Sequence, residues 1–199
     1  MKSTVSTFIV SIAAASLIIP SAWAQADKEK ATERKLPALE ADQKPTSESD
    51  FVTKAAKRTA AELKFAQLGV AKAQNPKVKE LAQMLEREYT SANQEIKTIA
   101  GKLNIKIEDT PNAEAQEKAK KLAAKTGREF DAAYIVIAYA CQQHNIEFYE
   151  AGKAVAKDSD VTAHINEALT ALKTRSEKVD DLREARDKDT TDPASPDKK

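Results

Sequence analysis

A single cysteine, Cys141, in 199 residues excludes an intramolecular disulfide, so any fold must be held by its core. Two histidines, His144 and His164, leave little for general acid–base chemistry. No Gly-rich phosphate loop, no Ser-His-Asp candidate set and no zinc-type cysteine spacing occurs, which removes the best-marked enzyme and metal classes. An excess of one charge is also missing: 32 Lys+Arg face 31 Asp+Glu, so electrostatic capture of nucleic acid or of an anionic membrane is not encoded in the balance. Glycine (4) and proline (7) are scarce while Ala, Lys and Glu abound, a composition that favours helix.

One apolar run is present, at the N-terminus. Lys2 is followed by a charge-free stretch from Val5 to Ile19, a break at Pro20 and the small-residue signature Ala22-Trp23-Ala24. This pattern predicts a secretory signal, residues 1–24, cleaved before Gln25; the run is shorter than the ~20 residues a membrane span needs. No second long apolar run follows, so no integral membrane segment is expected after cleavage. Lys2 is the one charge in the leader, which leaves 31 basic against 31 acidic residues and no net charge. Trp23, the single tryptophan, leaves with it. Residues 25–48 are charged, Pro-punctuated and poor in large apolar side chains and read as a disordered tether; 188–199 read as a disordered tail.

Between them, 49–187, the period is helical. Val52, Ala56, Leu63 and Val70 stripe a first helix that runs to Gln74. Asn75-Pro76 ends it and caps a second, striped by Val78, Leu81, Leu85, Ala92, Ile96, Ile99 and Leu103. A connector, 104–112, and a short helix, 113–125, stop near Gly127. Thr126 with Glu129 predicts a capping box for a third long helix, striped by Phe130, Tyr134, Ile137, Cys141, Phe148 and Val155. Asp158 or Ser159 caps the fourth, carrying Val161, Ile165, Ala168, Leu172, Val179 and Leu182. A shift of 83 positions lays Phe65 on Phe148, Gly69 on Gly152, Asn75 on Asp158 and Val78 on Val161, which favours two related hairpins packed together. The connection between helices two and three is long enough to run the length of a bundle, so those helices can be parallel.

Polar residues on or beside the stripes are the candidate site, because a bundle buries them only with partners. They are Glu62 on helix one, Tyr89 on helix two, His144 on helix three and Arg175 on helix four. The simplest reading pairs Glu62 with Arg175 and lets Tyr89 and His144 share polar ends nearby. One alternative is a divalent transition-metal site using Glu62, Glu88 and His144; another is a small anion held by Arg175 and Tyr89. Cys141 reads as a small buried hydrophobe and His164 as a surface residue.

Three segments carry a family resemblance: DFVTKAAKRTAAELKFAQLGVAKAQNPKVKELAQML, GREFDAAYI followed by QQHNIEFYE, and the Ala-Leu-rich last helix. Over residues 50–185 the chain resembles the exported bacterial bundles catalogued as domain of unknown function 4142, a group that often carries the label predicted outer membrane protein. The resemblance implies an all-α, ferritin-like four-helix bundle with a short extra helix between helices two and three. It also implies a Glu on helix one and His residues on later helices; this chain matches at Glu62 and His144, with Tyr89 and Arg175 where the family has histidine and Gln143 for the acid before His144. The expectation is a non-enzymatic periplasmic bundle of unknown role without cofactor, with secretion or peripheral envelope association as alternatives and with a partner left open, a protein partner or a second copy being the candidates. The alternative is a metal or redox protein with degenerate ligands.

Overall fold

Why the chain turns where it does is written in its caps. The computed structural model describes residues 44–108 and 110–191, which belong to one compact unit. The expected signal peptide, the tether up to residue 43 and the tail from 192 lie outside the described residues. Five helices form: α1 Glu48–Lys72, α2 Pro76–Lys102, α3 Ala113–Ala123, α4 Gly127–Gly152 and α5 Ser159–Thr191. Among the described residues there is no strand.

Ser47 caps α1 by accepting the Asp50 N–H at 3.1 Å, and Asn75 caps α2 by accepting from Lys77 (2.9 Å) and Val78 (3.4 Å). Asn104, at φ 52, ends α2 in a Schellman motif, with Ile105 N–H donating to Ala100 C=O (2.8 Å) and Asn104 N–H to Gly101 C=O (3.3 Å). Helices α1 and α3 each stop two residues short of expectation, at Lys72 and Ala123, and two further details differ. Thr126 forms no side-chain cap; its predicted box partner Glu129 is paired with Lys125 one turn back. Helix α5 continues to Thr191, into the segment expected to be a tail from 188.

Contacts along the helices set their directions. Residues early in α1 meet residues late in α4, as in the stacked rings of Phe51 and Phe148 (5.1 Å). Lys178–Glu80 and Lys102–Asp160 tie opposite ends of α2 and α5. Each helix is thus antiparallel to its hairpin mate and to its cross-bundle neighbour, which makes α2 and α4 parallel, and the chain returns along the bundle through α3. This is a four-helix bundle with one long crossover.

The 83-residue repeat is structural. Asp131, at the start of α4, accepts the N–H groups of Gln74 (3.1 Å) and Asn75 (2.8 Å) in the α1–α2 turn; Glu48, 83 positions earlier, accepts those of Lys157 and Asp158 (2.7 Å) in the α4–α5 turn. Asp158 then caps α5 as Asn75 caps α2, accepting from Asp160 (2.8 Å) and Val161 (3.4 Å). Gly69 faces Tyr134 and Gly152 faces Phe51, again positions 83 apart. The two hairpins are related by a pseudo-twofold axis and latch each other's turns.

At both glycines a Cβ has no room. At Gly69 it would lie 2.5 Å from the Tyr134 ring and 2.6 Å from Ala82 Cβ; at Gly152, 2.6 Å from the Phe51 ring. Gly69→Ala and Gly152→Ala are each expected to lower the unfolding free energy by about 1–3 kcal/mol through overpacking. Gly101→Ala, with nothing within 4 Å, should raise it by about 0.5–1 kcal/mol. Urea unfolding followed by circular dichroism reads all three, and a tolerated alanine at 69 or 152 would contradict the close approach.

Candidate functional site

The core is not continuous along the bundle. One apolar cluster gathers Phe65, Leu81, Leu85, Phe130, Tyr134, Val179 and Leu182; the other gathers Phe51, Val52, Ile96, Phe148, Ile165 and Leu172. Between them, at one depth on four helices, lie buried Thr59 and Glu62 from α1, Tyr89 from α2, Gln142 and Asn145 from α4, and Arg175 from α5.

These side chains bond to one another. Arg175 Nε donates to Gln142 Oε1 (3.2 Å), Nη2 to the Tyr89 hydroxyl (3.1 Å), and Nη1 to the Glu88 carboxylate. Arg58 donates from Nε (3.3 Å) and Nη2 (3.0 Å) to Asn145 Oδ1 while its guanidinium stacks on Phe148, 4.8 Å from the ring centroid. Tyr89 and Asn145 present their polar ends to Glu62. A relay results: two guanidinium groups polarise one neutral side chain each, and both side chains face Glu62.

Burial is the largest influence on Glu62 and raises its pKa above the ordinary carboxyl value, against the lowering pull of Arg58, Asn145, Arg175 and Tyr89. Tyr89 is likewise pushed up by burial and by the Glu62 charge. Cys141 is half-buried; its side chain lines a void of about 10 Å³ with Glu62, Tyr89 and Tyr134, and burial with the Glu62 charge raises the thiol to about 12. Such a thiol is protonated and a poor nucleophile.

Of the four expected core residues, Glu62, Tyr89 and Arg175 meet in this belt. His144 is half-buried on α4; from the same helix Gln142 accepts from Arg175 and Asn145 faces Glu62. The expected Glu62–Arg175 pair is corrected: the carboxylate on Arg175 is Glu88, and Tyr89 stands between Arg175 and Glu62. The reason is rotational. The predicted α4 stripe shares Phe130, Tyr134 and Phe148 with the buried face, but it continued through Ile137, Cys141 and Val155 where the structure buries Asp131, Ile135, Gln142, Asn145 and Tyr149. Arg58, Gln142 and Asn145 escaped notice, yet the 83-residue shift sends Thr59 to Gln142 and Glu62 to Asn145 and would have marked both.

His164 is also corrected: it is 1% exposed, with Nδ1 2.9 Å from Glu95 Oε2 but outside hydrogen-bond geometry, and its ring tilts against Tyr149 at 5.8 Å. It occupies the place of Leu81 in the other hairpin, a core position.

A transition metal does not fit these residues. Glu88 is engaged by Arg175, whose fixed positive charge lies in the belt and cannot be titrated away. Among the described residues no three His, Cys, Asp or Glu side chains are grouped so as to hold a metal ion. No helix among the described residues is long and apolar enough to cross a membrane.

Fold and site together define a helical bundle whose buried polar groups serve one another. The chain belongs to the family described as Domain of unknown function (DUF4142), whose model matches residues 33–182. No curated protein and no solved structure matches it.

Glu62 makes stability depend on pH with a definite sign. Because its folded pKa lies above the 4.5 of an ordinary glutamate, its contribution is present in full below that value and is lost as pH rises through the folded pKa. The stability of Glu62→Gln minus that of wild type should therefore grow as pH is raised from about 4.5 toward neutrality. Urea unfolding across that range checks it; a flat or shrinking difference would contradict the burial assigned to Glu62.

Proposed function

We propose that this chain is a non-enzymatic protein of the periplasm that acts by binding, with no cofactor, and that its counterpart is a protein partner or a second copy. The observation that carries this reading is the commitment of the polar belt. The functional groups that chemistry would need, Glu62, Tyr89, Glu88 and Arg175, are spent on one another, and the neighbouring thiol is held protonated. The leader pattern at residues 1–24 supports export. The family description names no activity.

The alternative, a ferritin-like metal or redox protein using Glu62, Glu88 and His144, would have to draw Glu88 off Arg175 and leave that cation without its ion pair. Arg175 is buried, so leaving it unpaired carries a desolvation cost. Melting of the purified mature protein in the presence of Fe, Mn, Cu or Zn ions is expected to be unchanged, and cell fractionation should recover the protein with the periplasm. A melting temperature raised by micromolar metal, with the rise lost in Glu62→Ala or His144→Ala, would overturn the non-metal reading. Recovery in the cytoplasm with Trp23 fluorescence retained would overturn the export reading.

A further inference from the structure

Between α2 and α5, at the outer edge of the polar belt, a groove of about 660 Å³ opens to solvent. Its volume falls in the range of small-molecule sites. Arg175 lines it and is 6% exposed, whereas the Glu88 side chain beside it is 33% exposed. Their ion pair is therefore unequal. The cation is held from within by Tyr89 and Gln142, while its carboxylate arrives from a wall of the groove. Lys178, three residues beyond Arg175, lines the same groove, and its bridge to Glu80 is solvent-exposed and weak. Met84 and Ala171 contribute apolar wall.

We propose that this groove binds a small aliphatic monocarboxylate, whose carboxylate replaces that of Glu88 on Arg175 and whose hydrocarbon lies against Met84 and Ala171. The exchange leaves one carboxylate on the buried guanidinium before and after, so no buried charge is stranded. The displaced Glu88 moves further into water it already touches. Lys178 adds a second cation within the groove for the incoming anion. Glu167, an exposed acid lining the groove, opposes any ligand with a second negative group and so disfavours dicarboxylates and phosphate. Glu88 is in this sense a tethered competitor, present at an effective concentration in the millimolar range or above. Removing its charge should strengthen anion binding.

This inference goes beyond the function proposed above and stands on the groove alone; the metal and fractionation experiments do not bear on it. The test is calorimetric titration of the mature chain with butyrate, in wild type and in Glu88→Gln, whose amide oxygen still accepts from Arg175. Saturable binding is expected in both, at about tenfold or lower concentration in Glu88→Gln. Glu167→Gln removes the same charge from the same groove without freeing Arg175 and should gain much less. Glu88→Gln combined with Arg175→Met should lose binding, and succinate and phosphate should bind more weakly than butyrate. No saturable butyrate binding in wild type and Glu88→Gln, or an equal gain from Glu167→Gln, overturns the proposal. Should Glu88→Gln fail to fold, Lys178→Met in the wild-type background decides: weakened butyrate binding supports the site and unchanged binding refutes it.

Discussion

The rest of the structure is arranged around one buried carboxyl group. Glu62 sits midway along the bundle, 8% exposed, where an isolated charge would cost several kcal/mol. Its polar neighbours Tyr89 and Asn145 bring in α2 and α4, and the guanidinium groups behind them bring in α5 and a second residue of α1. Satisfying this single group requires all four long helices at one depth and one rotation. A slip of one helix by a turn would break the relay, and this makes the belt a device for register as much as for stability.

The belt also separates what is symmetric from what is not. Turn latches, the caps Asn75 and Asp158, the Phe65 and Phe148 positions and the glycine–aromatic contacts repeat at an interval of 83 residues. The belt does not: Glu62 corresponds to Asn145, Thr59 to Gln142, Arg58 to Cys141, Tyr89 to Leu172 and Arg175 to Ala92. Two copies of the first hairpin would bring Glu62 against Glu62 across the axis, a like-charge contact in the core. The substitution of Asn145 at that place replaces the like charge with a neutral polar side chain, so pairing of unlike hairpins is favoured over pairing of like ones.

The same cluster differs from a metal-binding bundle in what joins the helices at mid-depth. A cation already joins the helices at mid-depth, but it is the guanidinium of Arg175, covalently supplied and permanently charged. Its outer edge is the part that meets solvent, through the partly exposed Glu88.

Local rules were enough for much of the architecture. Helix existence, the Asn75-Pro76 turn, the short crossover helix and the end of α2 near Asn104 follow from periodicity, caps and breakers that act within a few residues. The repeat was visible as well, because it is a property of spacing. The rotation of α4 was not, since a helix rich in Ala, Ile, Tyr and Phe offers apolar residues on more than one side. A shift of one position there put His144 in the expected cluster and left out Asn145. Nor could a linear pattern tell that Glu88, next to Tyr89, would reach Arg175 before Glu62 did, or that His164 would be enclosed. Those outcomes depend on which side chains arrive from other helices at the same depth, and that is decided only when the two hairpins close on each other. By itself the sequence determined the helices, their order and the duplicated hairpin; tertiary packing chose the partner of each buried charge, because burial makes partnership obligatory while distance along the chain says nothing about who is near.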